Sequence, residues 1–293
     1  MSHTILVTGA TGTVGSEAVI ALANRGLTVR AGVHSLIKGD RLKHLDPDIQ
    51  LVEVDFHKPE TLHVALTGAE RVFMITPFTE DQVAISKQFI DAAKQAGVRQ
   101  IVRLSAAGAE SEPGIQLGRW HREIEKYLEQ SGIPYTILRP GGFMQNFINY
   151  NSDSIRHEGK LYAAVGEGKV AYVDVRDIAE VAAAILTNDV EQHNGKAYML
   201  TGPEAIDMQE VAKALGEATG RPVEYVAISE ETARQAMVQA PAWMTDALME
   251  LNHISQAGYA SQTSPDVQNI LGRAPFSIRD FAQANRIDFL PAQ

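Results

Sequence analysis

The chain has 293 residues, 45% of them hydrophobic, enough to bury a large core and form one elaborated domain or two unequal lobes. Its 36 acidic residues outnumber 26 basic ones, and the formal charge of −10 opposes a polyanion and leaves no basic stripe for nucleic acid. There is no cysteine, which excludes disulfides, thiolate zinc sites and cysteine nucleophiles; no metal site is expected, and redox work must use a bound cofactor.

Thr4-Ile5-Leu6-Val7 reads as a short buried strand, followed by the turn Thr8-Gly9-Ala10-Thr11-Gly12-Thr13-Val14-Gly15. Val14, Ala18, Val19, Leu22 and Ala23 then form an apolar stripe at helical spacing, Gly26 stops the helix, and Thr28 to Val33 reads as a second strand. Strand, glycine-spaced turn, helix and strand make a βαβ unit of roughly 30 residues, where a dinucleotide pyrophosphate would sit. Gly9 permits the tight turn, Gly12 lets backbone N–H groups approach the phosphates, and Gly15 lets the helix lie close on the sheet. Thr11, Thr13 and Val14 belong to the same cradle. The spacing G-x-x-G-x-x-G departs from the commoner G-x-G-x-x-G, and a turn without ligand is the competing reading.

The second strand runs into His34-Ser35, with Lys38 close behind and no acid before Asp40. A carboxylate there would bind the 2′-hydroxyl of NAD, whereas a 2′-phosphate needs positive charge, so NADP(H) is expected and NAD(H) is the alternative. For Lys38 and Arg41 a solvated helix face competes. Ile49 to Val54, Arg71 to Ile75, Gln100 to Leu104 and Tyr135 to Leu138 read as further strands, separated by segments of helical length such as Thr79 to Ala96 and Gln116 to Gln130. That alternation predicts a doubly wound parallel sheet covered on both faces. Ligands bind beyond the carboxyl ends of such strands, so His34, Asp55, Thr76-Pro77-Phe78, Ser105 and Pro140 are expected around one crevice with the glycine turn. Asp55 is a candidate for the adenine, with Phe56 packed beside it; an N-cap for the segment entering at Pro59 competes. A simple turn competes for Thr76-Pro77-Phe78.

Past Pro140 the alternation loosens. A helix is predicted over Val175 to Leu186, a strand near Ala197 to Thr201, and a helix opened by the capping-box pattern Asp207-x-x-Glu210. Glu230 to Leu251 is helical in pattern, rich in Met and Ala and includes Trp243; it reads as core packing or as a lid. No clean linker is present. Residues 1–150 are taken as the nucleotide-binding domain and 151–293 as a mixed region that completes the sheet.

Four motifs in order carry a family likeness: Thr8 to Gly15, Leu138-Arg139-Pro140-Gly141-Gly142-Phe143-Met144-Gln145-Asn146, Val173-Asp174-Val175-Arg176-Asp177-Ile178-Ala179 and Leu200-Thr201-Gly202-Pro203-Glu204. Together they resemble the NmrA-like branch of the atypical short-chain dehydrogenases, a group that includes triphenylmethane, quinone and azo reductases. The resemblance implies a Rossmann-like α/β fold, NAD(P)H at the glycine turn and a smaller carboxyl-terminal lobe closing the substrate cleft. Many members carry arginine where this chain has His34, which weakens the phosphate clamp here.

Typical short-chain dehydrogenases use a Tyr-x-x-x-Lys pair as proton source, but the matching helix reads Gly118-Arg119-Trp120-His121-Arg122-Glu123-Ile124-Glu125. His121 and Glu125 share a helical face and permit a substitute relay; an intrahelical salt bridge or a satisfied surface histidine is preferred to it. Ser105 is a second catalytic candidate, as a donor to a substrate oxygen, with capping or a backbone hydrogen bond as its alternative. Without the pair, the expected acceptor is a conjugated electrophile: a quinone, an azo compound, a triarylmethane dye or an iminium. Phe78, Phe143, Met144, Asn146, Tyr150 and Trp243 are the candidate lining, with core packing the alternative for Phe143 and Met144. The rival to a reductase is a non-catalytic redox-sensing regulator. The first strand starts within a few residues of Met1 and no apolar run approaches the ~18 residues of a membrane span, so a cytoplasmic monomer or homodimer is expected. Its partner would be a small electrophile, with no nucleic acid and no membrane.

Overall fold

A computed structural model describes residues 4–291. In chain order the elements are β1 (Thr4–Val7), α1 (Thr13–Ala23), β2 (Thr28–Val33), α2 (Leu36–Lys43), β3 (Gln50–Glu53), α3 (Pro59–Leu66), β4 (Arg71–Met74), α4 (Gln82–Gln95), β5 (Gln100–Leu104), α5 (Gln116–Gln130) and β6 (Tyr135–Pro140). They continue as α6 (Ser152–Glu158), β7 (Lys160–Ala163), α7 (Val175–Thr187), α8 (Val190–His193), β8 (Lys196–Leu200), α9 (Met208–Thr219) and β9 (Glu224–Ala227). The last are α10 (Glu230–Ala236), α11 (Ala242–Gln256), α12 (Asp266–Leu271) and α13 (Ile278–Ala284).

Seven strands form one sheet in the order β3-β2-β1-β4-β5-β6-β8, and every pairing from β3 through β6 is parallel. The fold is a Rossmann-like doubly wound α/β sheet, as the alternation predicts. Successive side chains on a strand point to opposite faces, so Leu6, Val72, Met74 and Ile101 pack on one side with Leu62, Phe89, Ile90, Ile124 and Leu128 from α3, α4 and α5. Ile5, Val7 and Phe73 point the other way and are equally buried, on the side where α1 and α7 pack on each other. The chain order reverses between β1 and β4, which creates the switch point at the carboxyl edge where the glycine turn lies.

The chain divides into two compact units, and the division differs from the expected break at residue 150. The first unit runs to Pro140 and regains Val175–Met199; the second comprises Gly141–Asp174 and everything from Leu200 onward. The reason is packing: the apolar face of α7, with Val175, Ile178, Val181, Ala182 and Ile185 buried, belongs against α1 and the sheet.

The second unit has its own core, built on Phe147, Leu161, Val211, Leu215, Phe281 and Phe289. It holds a two-stranded parallel sheet of β7 and β9 and a π-helical turn over Phe147–Asn151. Asp207 and Glu210 form the reciprocal capping box that opens α9. The helical stretch predicted over Glu230 to Leu251 is broken into α10 and α11 at Pro241, which lacks the N–H a continuing helix would need.

Candidate functional site

The turn after β1 is fixed at its first residue. Thr8 Oγ1 donates to the Ile75 carbonyl and accepts from the Ile75 N–H, both at 2.8 Å, tying the turn to the end of β4. Gly9 follows with φ of +60°, the left-handed region that favours glycine. The Gly12 N–H then closes back onto the Gly9 carbonyl at 2.9 Å, and the Ala10 N–H reaches the Gly32 carbonyl at 3.0 Å. Gly12 is the N-cap of α1 and brings no side chain to cap it. The first amides of α1 have no intrahelical acceptor and carry the positive end of the helix dipole, which suits an anion.

A Cβ at Gly15 would overlap the Gly9 carbonyl and come within 2.9 Å of Ala10 Cα. Gly15 is therefore required by the close approach of the first helical turn to the chain just past β1. Gly32 plays a part that sequence reasoning missed: a Cβ there would stand 2.8 Å from Val54 Cγ2 and 3.1 Å from the Val7 carbonyl. A lone glycine inside a strand pattern was the available signal.

His34 and Lys38 are both exposed beyond β2, and Ser35 caps α2 by accepting from the Lys38 N–H at 3.5 Å. Arg41, for which a solvated helix face competed with a place at the phosphate, sends its Nη2 to the Thr11 carbonyl in the glycine turn. The turn and the basic cluster are thus one assembly in the first unit. These residues fit a phosphorylated dinucleotide: an uncapped helix end for the diphosphate and cations beside it for a further phosphate.

Asp55 lies past β3, and its carboxylate accepts from the His57 N–H at 3.0 Å and pairs with Lys58 at 3.3 Å. The bond from His57, helped by Lys58, holds its pKa below the usual carboxylate range against the opposing effect of burial. The N-cap of α3 is Lys58, so the capping alternative for Asp55 is replaced by an Asx turn. Phe56 is 6% exposed and tilts against Phe89 at 5.4 Å, which makes it a core side chain. Thr76 is half-buried, Pro77 is exposed, and Phe78 is 36% exposed in the loop after β4. Pro140 is buried, its carbonyl accepting from the Ala107 N–H at 2.9 Å.

The helix that lacks the Tyr-Lys pair holds a different arrangement. His121 Nδ1 accepts from both terminal nitrogens of Arg103, at 3.3 and 3.2 Å, and the expected salt bridge to Glu125 is not formed. Burial, reinforced by the Arg103 charge, pushes the His121 pKa down to about 3, so the imidazole is neutral. It is half-buried against a strand and is no surface histidine. Glu125 is wholly buried and instead accepts hydrogen bonds from the Ser105 hydroxyl at 2.6 Å and from Arg139 at 3.0 and 2.8 Å. Ser105, expected as a donor to substrate, has its proton committed inward.

Five of the candidate lining residues fall in the second unit. Phe143 is half-buried and bridges to Val173 in parallel, while Met144 is 2% exposed within the core beside Phe147, so packing accounts for it. Asn146 is half-buried just ahead of the π-helical turn, Tyr150 is 79% exposed, and Trp243 is half-buried in the first turn of α11. Among the described residues no helix is long and apolar enough to cross a membrane, and no cluster of three histidines or acids is arranged for a metal ion.

Residues 1–270 match the NmrA-like family. The chain is 40% identical over 287 residues to an NAD(P)H azoreductase from Xenophilus azovorans, covering 97% of this chain and 99% of the relative. It is 30% identical over 273 residues to quinone oxidoreductase 2 from Escherichia coli, covering 92% and 93%. The structure of the Citrobacter sp. triphenylmethane reductase with NADP(H) matches with a TM-score of 0.82 at 27% identity, covering 96% of this chain and 99% of that one. The glycine turn, the doubly wound sheet and these likenesses agree, and the chain belongs to the NmrA-like family.

Proposed function

We propose that the chain is an NADPH-dependent oxidoreductase that passes hydride to conjugated electrophiles such as quinones, azo compounds or cationic dyes. The observation that carries this reading is the uncapped amino end of α1 beside the Gly9 turn, with Arg41 bonded to the Thr11 carbonyl of that turn and His34 and Lys38 exposed beyond β2. The amides of Thr13 to Gly15 would bind the diphosphate, and His34, Lys38 and Arg41 would favour the 2′-phosphate of NADPH over the bare hydroxyl of NADH. NADPH, when bound, supplies the hydride.

Neither residue offered as an acid is poised to give a proton. His121 is neutral with Nδ1 occupied by Arg103, and the Ser105 proton is held by Glu125. An isolated ketone needs an acid as hydride arrives; a quinone or an azo bond spreads the incoming charge and takes its proton from water, whereas a triarylmethyl cation is neutralised by the hydride and needs no proton. The azoreductase and quinone oxidoreductase relatives point the same way. The net charge of −10 agrees with a small acceptor in place of nucleic acid, and the setting we assign is the cytoplasm, as a monomer or homodimer.

The test is loss of absorbance at 340 nm when NADPH is mixed with the protein and a panel of quinones, azo dyes, triarylmethane dyes and imines. Turnover with at least one class is expected. Tight NADPH binding with no turnover on any of them would refute the reductase reading in favour of a redox-sensing regulator.

A further inference from the structure

Ser105 stands just past the carboxyl end of β5, and its hydroxyl orientation is over-determined. Its Oγ donates to Glu125 Oε1 at 2.6 Å, a charge-assisted bond. The same carboxylate accepts from Arg139 Nε at 3.0 Å, Arg139 Nη2 at 2.8 Å and Arg122 Nη1 at 3.0 Å. Burial would raise the Glu125 pKa, but these donors outweigh it and hold the group ionised, below the usual carboxylate range. The arginines are fixed in turn, Arg139 by Glu110 at 2.9 Å and Arg122 by Glu129 at 2.6 Å. An ionised carboxylate only accepts hydrogen bonds, so the single Ser105 proton points inward and Oγ has only lone pairs left for a ligand. Buried ion clusters are poor sources of stability, whereas orienting one hydroxyl is something this cluster does directly.

The position of Ser105 indicates which ligand atom it meets. His34, Lys38 and Arg41 lie beyond β2, which draws the adenosine half of a dinucleotide to the β2 and β3 side of the glycine turn. Crossing at the switch point then lays the nicotinamide half over β4 and β5. On that half the amide of the carboxamide is a strong hydrogen-bond donor.

We propose that Ser105 Oγ is a fixed acceptor for the carboxamide NH₂ of the nicotinamide, with Glu125 as the positioning residue that sets the hydroxyl's direction. The inference rests on the dinucleotide reading given above. By choosing one rotamer of the carboxamide, the pair orients the ring that carries the hydride.

The test is calorimetric titration of the protein with NADP⁺ and with its 3-acetylpyridine analogue, in which a methyl group replaces the NH₂. Wild type is expected to prefer NADP⁺ by about tenfold, equivalent to about 1.4 kcal/mol. Ser105→Ala should bind the two ligands within about twofold of each other. Glu125→Gln keeps the serine but turns an amide NH₂ toward it, freeing its proton, and should also lose the preference. Thermal unfolding checks that each variant is folded, and Ser105→Ala decides alone if Glu125→Gln is not. A serine that merely packs would leave the tenfold ratio unchanged in Ser105→Ala and overturn the proposal. Wild type that binds both ligands equally overturns this inference alone; wild type that binds neither overturns the dinucleotide reading with it.

Discussion

Gly12 and Gly15 separate a glycine needed by the ligand from one needed by the turn. At Gly12 the backbone has φ of −80° and ψ of 174°, open to any L residue, and an added Cβ meets only the Gly9 carbonyl, at 3.2 Å. Gly12→Val should therefore fold, at a cost of about 1 kcal/mol or less, while placing an isopropyl group at the uncapped end of α1. Losing two charge-assisted bonds from amides to the diphosphate, at about 1.5–3 kcal/mol each, weakens binding by about 3–6 kcal/mol, or roughly 10²- to 10⁴-fold in Kd. Gly15→Ala behaves differently, because its methyl group overlaps the Gly9 carbonyl and the turn must open. The helix-propensity gain of about 1 kcal/mol does not offset that clash, so this smaller substitution should lower both the unfolding temperature and the affinity. Calorimetric titration with NADPH and thermal unfolding read both quantities. A Gly12→Val protein that unfolds normally and binds NADPH within about threefold of wild type would refute the placement of the diphosphate.

Lys38→Glu should raise the Kd for NADPH at least about tenfold and that for NADH by less than about twofold; equal effects would show that the 2′-phosphate is read elsewhere. His121 governs a pH dependence of stability. Its folded pKa, pushed down to about 3, lies below that of the unfolded chain, so the unfolded state takes a proton below about pH 6.5 that the folded state refuses. Stability is full above that pH and falls as pH drops toward 3, with a slope of up to about 1.4 kcal/mol per unit. His121→Gln should flatten the loss between pH 7 and pH 5 by about 2 kcal/mol in urea denaturation, and an unchanged slope would contradict a buried neutral imidazole.

Local pattern carried most of the first unit. Thr28–Val33 and Gln116–Gln130 fall where β-branched alternation and helical period place them, because each segment also packs as its own pattern demands. Positions fixed by distant partners were not legible. Arg41 bonds to a carbonyl 30 residues away, and His121 faces Arg103 across 18 residues in place of Glu125 one turn along its helix. The unit boundary escaped for a similar reason, since α7 returns to the first unit after an excursion through the second. Pro241 is a local signal for the break between α10 and α11, because it cannot donate the N–H that a continuing helix needs.

A crystal structure of the protein with NADPH tests the placement of the cofactor most directly. The diphosphate is expected against the amides of Thr13 to Gly15, with the 2′-phosphate among His34, Lys38 and Arg41. Nucleotide bound elsewhere, or a glycine turn left empty at saturating NADPH, would contradict it.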